Sequence, residues 1–186
     1  LARTVRLIRQ NAGEWHVRKD AIVITGFSAG GHLAAEYACK WDRPALSAAA
    51  EAEREELRPN ALVLGYPVIT AGAAAHEESI HNLLGAQDTP KMRRSVSLET
   101  QVSGCVPPVF LWHTATDEMV NAENSLLFAS ALAREKIPYE LHIYGSGVHG
   151  VSLGTRATVG EEKHVSHGCA GWFAQAARFL ERVLHE

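Results

Sequence analysis

A chain of 186 residues is long enough to bury a core of its own and short enough to be one domain. Its composition, 46% hydrophobic and 21% charged, is that of an ordinary globular protein rather than a disordered or fibrous one. A formal charge of −3 gives no electrostatic basis for a nucleic-acid or anionic-membrane partner, and no apolar run approaches the roughly 20 residues that cross a bilayer.

The first element is a helix: Leu1, Val5, Ile8 and Ala12 form an apolar stripe at helical spacing, with Gly13 as the expected C-cap. Residues 21–25, Ala-Ile-Val-Ile-Thr, have the shortness and β-branched content of a strand buried on both faces. A helix over 29–40 follows, with Leu33, Ala34, Tyr37 and Ala38 on its inner side. Residues 41–56 are rich in Ala and Glu, and Glu51, Glu53, Glu55 and Glu56 fit one solvated surface. Further strands are expected at 61–65, at 109–113 behind the breaker pair Pro107-Pro108, and at 139–144. Amphipathic helices are expected at 124–136 and 171–184. This alternation predicts an α/β domain, a mostly parallel sheet of about four strands flanked by helices. Its apolar first strand calls for neighbours on both sides, because an open apolar edge is a site of unwanted pairing.

Between the first strand and its helix lies Gly26-Phe27-Ser28-Ala29-Gly30-Gly31-His32. A G-x-S-x-G segment at a strand-to-helix joint is a nucleophile elbow: the turn exposes a Ser hydroxyl that a neighbouring base can deprotonate. Gly26 and Gly30 are expected to be the positions where a Cβ would clash. Catalytic groups of such sheets sit on loops leaving the carboxyl ends of the strands. The 109–113 strand leads into Thr114-Ala115-Thr116-Asp117, and the 139–144 strand into Gly145-Ser146-Gly147-Val148-His149. Ser28, Asp117 and His149 therefore fall on one rim in the order Ser, Asp, His. Ser28 would attack an ester carbonyl, His149 would carry the proton, and Asp117 would hold the imidazole. The backbone N–H of Ala29 would be one oxyanion-hole donor.

Other residues compete for attention. Glu118 and Glu123 are alternative acids, and Asp117 itself could serve as the cap of a helix starting near Asn121. His164, His167 and Cys169 lie close together but lack the second pair of a metal site. His76 and His81 carry no such pattern, and His32 is expected to pack or hydrogen-bond beside the elbow. Phe27, Tyr66, Trp112 and His113 could line a pocket or fill the core. The three cysteines, Cys39, Cys105 and Cys169, fit neither a zinc site nor a dense disulfide framework; one bridge is open to them, and otherwise they read as small buried hydrophobes.

Together these blocks resemble the acetyl-esterase and feruloyl-esterase branch of the α/β-hydrolases, the type associated with xylan. The likeness also covers Leu64-Gly65-Tyr66-Pro67-Val68, Asn82-Leu83-Leu84-Gly85, the stretch from His113 to Asp117, Glu123-Asn124-Ser125-Leu126, and Glu140-Leu141-His142-Ile143-Tyr144. It implies Ser28, Asp117 and His149 as the triad, acting without metal or cofactor on small esters or acylated plant-wall carbohydrate. Relatives of this type carry upstream strands and a His-Gly-Gly loop that gives the second oxyanion donor. Residues 1–13 read as a helix and no glycine pair precedes Gly26, so residues 1–186 are expected to be the C-terminal part of one α/β-hydrolase domain. An upstream polypeptide half or a homo-oligomer would complete it. Two other readings share these residues: a serine peptidase of the prolyl-oligopeptidase type, and a catalytically silent half that serves assembly or binding.

Overall fold

A computed structural model of the chain describes residues 1–158 and 168–185. Four strands pair in chain order and all in parallel: β1 (Val23–Phe27), β2 (Ala61–Gly65), β3 (Val109–Thr114) and β4 (Tyr139–Tyr144). The helices are α1 (Ala2–Gln10), α2 (Ala29–Lys40), α3 (Pro44–Ala50), α4 (Glu77–Leu84), α5 (Pro90–Val96), α6 (Glu123–Arg134) and α7 (Trp172–His185). The expected α/β class and parallel sheet are those observed.

Alternation along the inner strands sets up a core on each face of the sheet. Leu62, Leu64, Val109 and Leu111 meet Ala34, Ala35 and Ala38 of α2 and Phe128 and Leu132 of α6. On the opposite face Val63, Phe110 and Trp112 meet Trp172, Ala176 and Phe179 of α7. Burying the apolar side chains of β2 and β3 on both faces stabilises by about 1.5–3 kcal/mol for each large one. The strands cannot slip by one residue without exchanging these two sets.

Several expectations are corrected. The first strand is Val23–Phe27, two residues later than expected. Its ladder starts at Val23 opposite Ala61, while Ile22 is tied below it by hydrogen bonds with Asn60. It is an outer strand and Thr25 is exposed, so it is not buried on both faces. The helix 29–40 has the expected bounds, but Leu33 points outward at 55% exposure. Helix α1 stops at Gln10, where the Asn11 side chain donates to the Leu7 carbonyl at 2.8 Å, and Gly13 lies in the turns beyond. Within residues 41–56, Glu51, Glu53 and Glu55 are exposed and Glu56 half-buried, the solvated face expected of them, while Trp41 is buried, α3 intervenes and a 3-10 turn at Arg54–Leu57 follows.

Helices α4 and α5 were not expected. Each has a local start signal: His76 Nδ1 accepts from the Ser79 N–H, and Thr89 Oγ1 accepts from the Met92 N–H with Pro90 at the first helical position. The loop between β2 and α4 is anchored by Asn124, which is fully buried in α6. Its Oδ1 accepts from the N–H groups of Ile69 and Thr70, and its Nδ2 donates to the carbonyls of Ala74 and Asn121.

Candidate active site

Ser28 sits between β1 and α2 with φ 53° and ψ −124°, a conformation that costs a non-glycine residue of order 1–3 kcal/mol. Backbone hydrogen bonds hold it there. The Ser28 N–H donates to Gly65 O at 3.1 Å, and Ser28 O accepts from Gly31, His32 and Val68. Close packing does the rest. A Cβ on Gly26 would lie 2.4 Å from the Gly30 carbonyl oxygen, and one on Gly31 would lie 2.6 Å from Pro67 Cβ. Gly30 has no such neighbour, so the second tight glycine is Gly31 rather than Gly30. The expected pairing overlooked the Tyr66-Pro67 turn, which crosses the start of α2 from the neighbouring strand.

The rim brings Ser28, His149 and Asp117 into one hydrogen-bonded chain. His149 Nε2 lies 2.8 Å from Ser28 Oγ, and His149 Nδ1 lies 2.7 Å from Asp117 Oδ2. A carboxylate only accepts, so Nδ1 carries the hydrogen and Nε2 is left to accept from the Ser hydroxyl. This is the geometry required of a nucleophile, its base and the group that orients the base. Tyr66 packs edge-on against the His149 ring at 5.0 Å. The His149 loop is clipped to the Asp117 loop at Gly147: its carbonyl accepts from Thr114 Oγ1 and Thr116 Oγ1, and its N–H donates to Thr116 Oγ1.

Asp117 is buried and fully partnered. Oδ1 accepts from the Met119 and Val120 N–H groups, and Oδ2 faces both His149 and His113. Burial raises its pKa, but the hydrogen bonds from His113, His149 and the Val120 N–H outweigh this and hold the carboxyl well below the usual range. The helix-capping alternative is not realised: Asp117 Oδ1 closes only the 117–120 turn, the Glu123 N–H at the start of α6 donates to Asn121 Oδ1, and Asp117 Oδ2 meets the histidines. Glu118 and Glu123 are exposed. Ala29 is exposed at the first position of α2, where a helical N–H has no intrahelical acceptor.

The remaining candidates fall away from this chain of contacts. His32 is buried, with Nδ1 3.3 Å from the Val68 carbonyl, and burial lowers its pKa. His76 caps α4. Trp112 and His113 are fully buried, whereas Phe27 is partly exposed and packs against Tyr66 and Trp172. Cys39 and Cys169 are buried, Cys105 is half-buried, and no disulfide joins them, the Cys39 thiol pushed up to about 12 by burial. His164 and His167 lie outside the described residues. Among the described residues no cluster of three or more His, Cys, Asp or Glu is placed to hold a metal, and no helix is long and apolar enough to cross a membrane.

The family model described as BD-FAE matches residues 1–132. The chain belongs to the BD-FAE family. This BD-FAE chain is 39% identical over 153 residues to an endo-1,4-beta-xylanase B of Butyrivibrio fibrisolvens, covering 82% of this chain and 24% of that protein. It is 32% identical to an acetylxylan esterase of Xylanibacter ruminicola, covering 81% of this chain and 30% of that protein. Among solved structures, the carboxylesterase Cest-2923 of Lactobacillus plantarum WCFS1 superposes with a TM-score of 0.81 at 32% identity, over 96% of this chain and 64% of that one. The BD-FAE chain thus spans under a third of the length of these two curated relatives. Its fold is that of the α/β-hydrolases.

Residue-by-residue reading missed the BD-FAE chain's supporting cast: Gly31, Thr114, Thr116, Ser125 and the polar role of His113. A signal existed for His113. A histidine inside the otherwise apolar run Val109-Phe110-Leu111-Trp112 must find partners once the strand is buried.

Proposed function

We propose that this chain carries the catalytic triad of a serine carboxylesterase that removes short acyl groups, acetyl above all, from plant-wall carbohydrate such as xylan. The observation that carries the reading is the unbroken sequence of contacts from Ser28 Oγ through His149 to Asp117. Ser28 Oγ attacks the ester carbonyl as His149 Nε2 takes its proton. The alcohol leaves with that proton, and water hydrolyses the acyl-Ser28 ester by the same route. The Ala29 N–H faces the developing oxyanion, and the reaction draws on no metal or cofactor. Carbohydrate as the alcohol part is supported by the xylanase and acetylxylan esterase relatives.

The second oxyanion donor we assign to an upstream segment seated on the open flank of β1. That flank is an apolar trough of about 360 Å³ lined by Leu1, Ile24, Thr25, Phe27, Gly30 and Leu33, directly beside the elbow. Residues 1–186 are on this reading the C-terminal part of a single α/β-hydrolase domain. One missing donor lowers turnover by about 100- to 1,000-fold.

The deciding experiment is hydrolysis of 4-nitrophenyl acetate and acetylated xylan by the wild-type chain and by Ser28→Ala, each with and without an upstream polypeptide half taken from a relative. Turnover lost in Ser28→Ala and raised by the upstream half is the expected result. Equal rates for wild type and Ser28→Ala under both conditions would overturn the esterase reading.

A further inference from the structure

His113 is the last but one residue of β3, fully buried, and its ring meets three partners. Nε2 lies 2.9 Å from the Val120 carbonyl oxygen and 3.3 Å from Asp117 Oδ2. Nδ1 lies 2.8 Å from Ser125 Oγ in α6, itself fully buried. Both neighbours of Nε2 are pure acceptors, so Nε2 carries the hydrogen and shares it between them. Nδ1 is then free to accept from the Ser125 hydroxyl. The ring thus links three places: the end of β3, the turn that follows it, and the first turn of α6.

We infer that His113 is a positioning residue for the esterase reaction, acting through Asp117 rather than on substrate. The geometry of the carboxylate carries this. Oδ1 is pinned by two backbone N–H groups of its own turn, and Oδ2 is held only by the histidines that it faces. The His113 Nε2–H, whose shorter bond goes to the Val120 carbonyl at 2.9 Å, lies 3.3 Å from Oδ2 and is the second donor facing that oxygen beside His149. With donors at both oxygens the carboxylate has one orientation, and Oδ2 faces His149 Nδ1. The same Nε2–H holds the Val120 carbonyl and so fixes the far end of the turn that carries Asp117. Second-layer donors of this kind commonly change activity by about 10- to 100-fold when removed. Without His113 the carboxylate loses that second donor in a buried setting where water cannot replace it.

This inference rests on the hydrolase reading, and its test separates the two. His113→Leu keeps roughly the bulk and removes both ring nitrogens. His113→Gln places an amide N–H near the position of Nε2. Ser125→Ala, which removes only the Nδ1 partner, guards against a leucine variant that does not fold. Each is compared with wild type by thermal midpoint, by kcat and KM on 4-nitrophenyl acetate, and by the low-field proton signal of the ¹⁵N-labelled His149 Nδ1–H. The expected result is a kcat lowered about tenfold or more in His113→Leu at unchanged KM. His113→Gln recovers most of that loss, Ser125→Ala falls between, and the His149 signal broadens in step. A His113→Leu enzyme with wild-type kcat and an unaltered His149 signal overturns the inference. So does a glutamine variant no better than leucine at equal thermal stability. If Ser28→Ala turns over as fast as wild type, the hydrolase reading falls. The His149 signal then decides alone: broadening in His113→Leu but not in His113→Gln supports the positioning role, and no change removes it.

Discussion

On one side of the rim Ser28 is positioned by backbone hydrogen bonds and close backbone packing, whereas on the other side Asp117 and His149 are positioned by side-chain hydrogen bonds. The elbow has no side-chain cap; Gly26 and Gly31 simply let backbone lie where a methyl would not fit. The Asp117 side has the reverse character, with Thr114, Thr116, His113 and two turn N–H groups all aimed at specific atoms. A strained φ at Ser28 needs a stiff surround, which backbone hydrogen bonds and close packing supply without a directed side chain. A carboxylate and an imidazole need orientation, which only directed donors provide. One side should therefore be sensitive to added atoms and the other to lost donors.

The largest effect is expected from Asp117→Asn, which leaves the shape of that side intact but presents the wrong hydrogen-bonding group to His149. Turnover of 4-nitrophenyl acetate should fall by about 10⁴-fold. The same variant tests linkage. Because the folded pKa of Asp117 lies below its unfolded value, its ionisation stabilises the fold above about pH 4 and that contribution fades as pH drops further. Urea midpoints of wild type and Asp117→Asn should differ most at neutral pH and converge in acid; a gap that widens on acidification would contradict the depressed pKa.

Next comes the steric side. Gly26→Ala drives a methyl into the Gly30 carbonyl, and a loss of about 1–3 kcal/mol is expected with about 100-fold lower turnover. Gly30→Ala adds the same methyl four residues on, in a helix and with nothing within 4 Å, and should be neutral or more stable by up to about 1 kcal/mol. Thermal melts of the pair compare the two sites directly, and equal destabilisation would remove the packing account of the elbow.

Thr116→Val removes the two Thr116 hydrogen bonds to Gly147, leaving the one from Thr114, while keeping side-chain volume. It is exposed, so about 1 kcal/mol or less of stability is expected, with a decline in kcat rather than a rise in KM. Smallest of all is Arg182→Ala, which breaks the half-exposed pair with Glu140 at the β4 edge and should cost no more than about 0.5 kcal/mol. That edge carries charged and polar side chains, Glu140 and His142, as guarded edges do. The β1 edge carries no charged side chain, only the exposed Thr25, and the open flank of the elbow is where an upstream segment is proposed to sit.

Much of this was legible from residues alone. The parallel α/β class, the bounds of α2, β2 and β4, and the order of Ser28, Asp117 and His149 along the rim all follow from local patterns. Short apolar runs bounded by breakers identify buried strands, and a Ser in a glycine-flanked joint identifies an elbow whatever surrounds it. The start of β1 was misplaced because Ala21 and Ile22 are as apolar as the strand itself, and only pairing with Ala61 separates them. Leu33 was turned inward because helical spacing marks an apolar stripe but not which part of it finds a partner.

The sequence by itself determined which side chains could meet at the rim: a serine, an aspartate and a histidine, each at the exit of a strand that local pattern already defined. Only the tertiary structure decided how these groups are held. That Gly31 rather than Gly30 packs against the Tyr66-Pro67 turn, that Gly147 is clipped by Thr114 and Thr116, and that His113 faces Asp117 are facts about contacts between segments. Hydrophobic period and turn chemistry report on a residue and its near neighbours in the chain. A steric limit or a hydrogen bond across a sheet depends on what the neighbouring strand brings alongside, and that is settled only when the strands pair.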